Sequence, residues 1–293
     1  MNRGANRQEV PSGTRALEIP LSRLIAFVEE DAPFGDITSA SVLDSQNCTA
    51  EIIAREELTL AGLAEIIRIF SYYGVRTEPL FQDGDLVPAG SPILTLSGDV
   101  HAILLVERTA LNLIGRMSGI ATRTRQIQEK VQTINPLCRI AATRKTAPGL
   151  RILDKKAAMI GGADPHRFSL SDAILIKDTH RTLVPLKEAI RRARAASKYH
   201  CIEAEAETTE EALEAAGAGA DIILLDNMEP DEIRKTLKSL KEQGLREKVQ
   251  IELSGGITPD TIPQYASLEV ERISLGMLTH TVRNADVSLE IQR

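Results

Sequence analysis

"IEAEAETTEEALEAAGAGADIILLD", residues 202–226, decides the fold. It opens on a period-2 run, 202–207, that sets Glu203, Glu205 and Glu207 on one face and Ala204 and Ala206 on the other. A helical stretch follows over 209–219, with Thr208 or Thr209 placed to cap its start and Glu211 just inside. The unit closes on 221–226, a continuous apolar run of the kind buried on both faces of a parallel sheet. Strand, helix and strand in that order make a βαβ unit, and such units build parallel sheets.

The pattern continues on both sides. "RIAAT" (139–143), "AILIK" (173–177), "VQIELS" (249–254) and "RISLG" (272–276) are further strand runs, and "LVPLKEAIRRARAASK" (183–198) is a further helix. Six strands alternating with helices imply a parallel sheet, either closed as an α/β barrel or open and doubly wound. No G-x-G-x-x-G follows any of the strands, which weakens a dinucleotide-binding reading. The first half differs. "LSRLIAFVEE" (21–30) and "LAEIIRIFSYYG" (63–74) are helical, whereas "CTAEIIAREELTLAG" (48–62) and "FQDGDLVPAGSPILTLSG" (81–98) carry strand and turn chemistry. A long helix over 102–131, with Gly115 and Gly119 inside it, joins the halves. The expected organisation is a polar tail over 1–16 and an N-terminal α+β sandwich domain over 17–115. An α/β barrel of about six strands follows over 116–282, and 283–293 returns as a strand to the first domain.

Composition narrows the class. The chain has 293 residues, 43% hydrophobic and 26% charged, which is globular. Aromatic residues are 3%, Trp is absent and the formal net charge is −6, so a nucleic-acid or anionic-membrane surface is not expected. No apolar stretch approaches the roughly 18 residues of a membrane span. Cys48, Cys138 and Cys201 are far apart and form no C-x-x-C pair, which indicates neither a disulfide framework nor a zinc site. A soluble, cytoplasmic protein is expected. Charge is unevenly spread: 139–181 holds nine Lys/Arg against four Asp/Glu, and 201–232 holds eleven Asp/Glu and no Lys/Arg. A fold that joins these regions makes a site with a cationic and an anionic side.

Parallel barrels gather functional groups at the C-terminal ends of their strands. Those positions here hold Thr143, Arg144 and Lys145, then Lys177, Glu205, Asp226, the "SGG" of Ser254, Gly255 and Gly256, and the "SLG" of Ser274, Leu275 and Gly276. His166 and Arg167 lie in a loop ahead of Lys177, and Arg108 stands on the long helix. Arginine pairs with carboxylates in a bidentate way, and a terminal Asp suits a sugar hydroxyl or Mg²⁺. Glycine loops after the last strands of a barrel suit a phosphate monoester.

"ERTALNLIGRMSGIAT" (107–122), "ATRKTAPGLR" (142–151), "GGADPHRFSLSDAILIKDTH" (161–180), "DIILLDNM" (221–228) and "SGGIT…ISLGMLTH" (254–280), in this order, closely resemble the quinolinate phosphoribosyltransferase family. The likeness runs from about 30 to 280. It implies an α/β sandwich followed by an incomplete α/β barrel, and a Mg²⁺-dependent activity within NAD biosynthesis. Quinolinate and phosphoribosyl pyrophosphate would give nicotinate mononucleotide, CO₂ and pyrophosphate. It further implies that Arg144, Arg167, Lys177 and His166 bind the quinolinate carboxylates, and that Lys145 meets the phosphoribosyl pyrophosphate. Glu205 and Asp226 would stabilise the ribose directly or through the metal, and the 5′-phosphate would rest on 254–256 and 274–276. Arg108 would enter from the neighbouring subunit of a homodimer, with a hexamer also open. Two positions depart from the family: Ala163 stands where a third glycine is usual, and Thr179 where Asn is usual. A molybdenum-transport-associated protein of the same fold is the alternative, and Lys177 with Asp178 favours the transferase.

Overall fold

The structure, a computed structural model, describes residues 17–292; the tail expected over 1–16 lies outside the described residues. The first elements are α1 (Leu21–Asp31), α2 (Ile37–Val42), β1 (Asn47–Ala54), β2 (Leu58–Thr59), α3 (Leu63–Tyr72), β3 (Arg76–Pro79), β4 (Leu86–Val87) and β5 (Pro92–Asp99). Then come α4 (Val100–Gln132), β6 (Arg139–Ala141), α5 (Arg151–Ile160), β7 (Ile174–Ile176), α6 (Asp178–Arg181), α7 (Leu186–Ala196), β8 (Ile202–Ala206) and α8 (Thr209–Ala218). The last are β9 (Ile222–Asp226), α9 (Pro230–Glu242), β10 (Gln250–Ser254), α10 (Ile262–Ala266), β11 (Arg272–Ser274), α11 (Met277–His280) and β12 (Val287–Gln292). The described chain forms two units. One comprises 17–125, Thr146–Gly162 and 278–292, the other Gln126–Lys145 and Ala163–Met277. Among the described residues no helix is long and apolar enough to cross a membrane.

The first unit is built on an antiparallel sheet of order β12-β1-β5-β3. Alternate residues of β1, namely Ala50, Ile52 and Ala54, are fully buried, as are Leu94 and Leu96 of β5 and Ile66, Ile69 and Phe70 of α3. Within α4, a Cβ on Gly119 would meet the Arg283 carbonyl oxygen at 2.1 Å, so glycine there admits a crossing backbone. Helix α5 carries Asp154, Lys155 and Lys156 in succession, all buried. Asp154 takes a bidentate pair from Arg116 at 2.8 and 2.9 Å, and Lys156 Nζ lies 2.6 Å from Glu65 Oε1. Partners of this kind are what make buried charge tolerable.

The second unit is a six-stranded sheet of order β6-β11-β10-β9-β8-β7, with every pairing parallel. This is the expected incomplete barrel: β6 and β7 are its two edges and are not paired with each other. Its two faces differ sharply. Ile140, Ala204, Ala206, Ile223, Ile251, Leu253 and Ile273 are fully buried on one face, and α7 and α8 pack on this sheet with α9 beside α8. Helix α8 starts on Thr208, whose hydroxyl accepts the Glu211 N–H at 3.2 Å. The other face carries Glu203, Glu205, Asp226, Gln250, Glu252, Arg272 and Ser274, placed side by side by the register. A strand hydrophobic outward and charged inward inverts the usual pattern, and the charged inner face is where a polar ligand fits.

Candidate active site

The groups at the strand ends form an anionic wall and a cationic wall. Lys177 directly follows β7, and its Nζ lies 3.0 Å from Glu205 Oε2 on β8. The Glu205 side chain is 6% exposed and that of Lys177 44%, so the lysine closes over a buried carboxylate. Arg181 of α6 braces the same strand end, donating to the Glu205 carbonyl at 3.0 Å and ion-pairing with Glu211. Asp226, closing β9, accepts from Asn227 Nδ2 at 2.7 Å. Carboxylate oxygens of Glu205, Glu207 and Asp226 lie within 4.8 Å of one another. An all-carboxylate donor set fits a hard dication such as Mg²⁺.

The cationic wall begins just beyond β6. Arg144 is half-buried and Lys145 exposed, while Thr143 Oγ1 accepts the Lys145 N–H at 3.2 Å. The Arg144 Nε is buried and has no partner among the described residues. Such an open donor is costly until an acceptor arrives. Burial, and then the Arg144 charge, pull the Arg167 guanidinium below its usual range, so the two cations are neighbours. Adjacent guanidiniums repel until anionic oxygens come between them, which is what a dicarboxylate supplies.

Arg167 is delivered by a loop that covers the free edge of β6. The Asp164 backbone donates to Ile140 O at 2.8 Å and accepts from Ala142 N at 2.9 Å. Its carboxylate accepts the His166 N–H at 2.7 Å and pairs with Arg272 Nε at 3.1 Å. Further along, the Gln128 amide accepts from Ile140 N at 2.8 Å and donates to Cys138 O at 3.1 Å. The edge is thus occupied, and the loop is pinned where it turns inward. His166 has φ +50, in the left-handed region. Its Nδ1 accepts the Arg167 N–H at 2.7 Å, and its Nε2 lies 3.3 Å from both Glu203 Oε2 and Glu252 Oε1. The Ser274 hydroxyl donates to the same Glu252 oxygen, Oε1. Burial disfavours charge on the imidazole, and the bonds to Glu203 and Glu252 outweigh it in favouring a proton on Nε2. An imidazolium has no acceptor for the Arg167 N–H, so the geometry fixes the ring with its proton on Nε2.

The glycine loops follow β10 and β11. Gly255 and Gly256 have φ +93 and +60. In the second loop, the Leu275 N–H donates to Ala141 O at 3.0 Å, and the Ser274 hydroxyl is committed to Glu252. Arg108 is exposed on α4, in the other unit. Apart from it, the expected residues lie in one unit: Thr143, Arg144, Lys145, Lys177, Glu205, Asp226 and both glycine loops stand at the C-terminal strand ends, while His166 and Arg167 reach the sheet from the loop before β7. Glu252 was not singled out by the sequence and Glu203 only as part of a carboxylate face. The in-out alternation of "QIELS", the same as in "IEAEA", is the signal that could have found Glu252. A cavity of about 390 Å³ lies at the opposite end, lined by His166, Arg167, Glu203, Glu252 and Arg272, and by Gln250 at the start of its strand.

Comparison with known proteins agrees with this arrangement. The chain matches the N-terminal domain of quinolinate phosphoribosyl transferase over 36–118 and its C-terminal domain over 120–290. It is 46% identical over 272 residues to a Methanothermobacter thermautotrophicus protein named probable nicotinate-nucleotide pyrophosphorylase (carboxylating), covering 91% of this chain and 96% of that one. A human nicotinate-nucleotide pyrophosphorylase (carboxylating) is 34% identical over 282 residues, covering 94% of each. The structure of the Francisella tularensis nicotinate-nucleotide pyrophosphorylase superposes with a TM-score of 0.87 at 30% identity, covering 98% of this chain and all of that one. With both of its domains matched in order, the chain belongs to the quinolinate phosphoribosyl transferase family.

Proposed function

We infer that this chain transfers the phosphoribosyl group of phosphoribosyl pyrophosphate to quinolinate with loss of CO₂, giving nicotinate mononucleotide and pyrophosphate for NAD biosynthesis. The observation that carries this is the inner face, where two neighbouring arginines, one with an open buried donor, share one sheet with a carboxylate set anchored on the buried Glu205. Arg144, Arg167 and Lys177 hold the two carboxylates of the pyridine, with His166 holding the Arg167 backbone beside them. Lys145 meets the pyrophosphate. Gly255, Gly256 and Gly276 receive the 5′-phosphate through backbone N–H groups. Glu205 and Asp226, with Glu207 next to them, are the residues that would hold Mg²⁺, whose chemistry there is to neutralise pyrophosphate oxygens.

Pyrophosphate leaves with the electron pair of its bond to C1′, and positive charge grows on the ribose ring. Glu205 and Asp226 stabilise that charge in a partly water-excluded site, where fixed charges act strongly. The pyridine nitrogen, aligned by the arginines, bonds to C1′ through its lone pair. The ring nitrogen, now cationic, draws in the electron pair of the C2–carboxylate bond as CO₂ departs, and a proton adds at C2. We take the enzyme to work in the cytoplasm as a homodimer, Arg108 of each subunit completing the neighbour's site.

Purified protein supplied with quinolinate, phosphoribosyl pyrophosphate and Mg²⁺ is expected to release nicotinate mononucleotide and CO₂ in equal amounts. Arg144→Ala is expected to lose turnover while keeping its circular dichroism and melting temperature. Absence of both products from the wild type, or full activity in the variant, would overturn the assignment.

A further inference from the structure

We propose that Glu203 and Glu252, acting through His166, are positioning residues that aim Arg167 at the pyridine dicarboxylate; this rests on the function inferred above. Both ring nitrogens of His166 are already committed. Nδ1 holds the Arg167 N–H at 2.7 Å, and Nε2 sits 3.3 Å from a carboxylate on each of β8 and β10. Those strands are not neighbours, because β9 runs between them. The imidazole is therefore a strut from two separate strands to the backbone of the residue that carries the guanidinium. A ring tied at both ends has no nitrogen left to touch substrate without losing an anchor.

The surroundings are arranged to hold this strut. Glu203 and Glu252 are 3% and 1% exposed, so their positions are fixed by packing. Ser274 donates to the same Glu252 oxygen, Oε1, that faces His166, and Asp164 binds the His166 N–H while Arg272 binds Asp164. The left-handed backbone at His166 is a conformation that persists only where neighbours over-determine it. Here they do, and the result is a defined direction for the next residue, Arg167. One oxygen of Glu203, Oε1, is buried without a partner among the described residues. A cost of that kind is retained where a carboxylate must stand in one place.

Three ligand atoms of His166, Glu203 and Glu252 also lie within 4.8 Å of one another, as a metal site would require. The Arg167 and Arg272 guanidiniums on the borders of the same cavity oppose a dication there, and Nε2 needs its proton to bridge the carboxylates.

The test uses the full chain with Glu203→Gln and Glu252→Gln, measuring kcat and the KM of each substrate. The expected result is a quinolinate KM raised by at least about tenfold, the loss that follows when a buried charged hydrogen bond is removed. The KM for phosphoribosyl pyrophosphate, and kcat at saturating quinolinate, are expected to stay within about twofold, since neither variant touches the opposite wall. A merely structural role would move all three together, and that outcome would overturn the proposal. An unchanged quinolinate KM would do the same. If a Gln variant does not fold, Glu252→Asp keeps the charge, withdraws the oxygen from Nε2 and is read by the same split. A wild type silent with both substrates would remove the function beneath the proposal; an active wild type without the split would remove the proposal alone.

Discussion

At Gly255 an added Cβ would stand 2.1 Å from Asn227 Oδ1, on a backbone at φ +93. Asn227 cannot easily yield, because its N–H is donated to Ser254 O at 2.9 Å and its amide to Asp226 at 2.7 Å. Gly255→Ala is therefore expected to destabilise the protein by about 1–3 kcal/mol and to raise the KM for phosphoribosyl pyrophosphate more than that for quinolinate. Thermal melts and initial rates check both, and equal effects on the two substrates would separate this loop from the phosphate. At the same scale, the strand-end residues were legible because a charged side chain closing an apolar run has few structural uses. Glu203 and Glu252 were not, since a carboxylate alternating with small or apolar residues reads as the wet face of an edge strand. What distinguishes them is His166, which a loop with left-handed backbone brings in from another part of the chain. Spacing along one strand does not register such a partner.

Helix α3 follows Gly62, which has no side chain to cap it, and the cap comes from Asp83 in a later turn, accepting the Leu63 N–H at 2.9 Å. Burial pushes the Asp83 carboxyl up to about 6, against the pull of that bond. A folded value above the unfolded 3.8 means that the native state holds this proton more tightly. Its stabilising contribution is present below about pH 4 and is lost as the pH rises through 6. Asp83→Asn keeps an acceptor for Leu63 and removes the charge. It is expected to melt higher than the wild type at pH 7 and alike near pH 4, and calorimetry at the two pH values tests this; an equal offset at both would reject it. Among the elements, the six parallel strands were legible because each is a short apolar or alternating run between turn signals. Strands β2 and β4 have two residues each, too few for any period to show. Helix α5 was missed for a different reason. Its Asp154, Lys155 and Lys156 look like a solvated stretch, and only partners far along the chain, Arg116 and Glu65, make their burial possible.

For the whole molecule, the exposed Arg108 on α4 is the one expected site residue that lies in the first unit. A subunit-shared site makes a quantitative forecast. Arg108→Ala and Arg144→Ala should each be inactive, and mixing them with exchange of subunits should restore about a quarter of wild-type activity, because half of the dimers are mixed and each has one intact site. No recovery on mixing would assign Arg108 to its own subunit or to no site. The order of the strands in the two sheets bears on how the chain reaches this form at all. Residue 49 of β1 is paired with residue 292, and among the described residues β6 takes its only strand neighbour from β11. A chain emerging from the ribosome must be extended to residue 274 before β6 meets that partner and nearly to 292 before β1 does. Pairings this distant in sequence make folding slow and leave bare backbone edges waiting meanwhile. Synthesis, folding and protection from aggregation are therefore linked in this protein by its sheet order, quite apart from its chemistry.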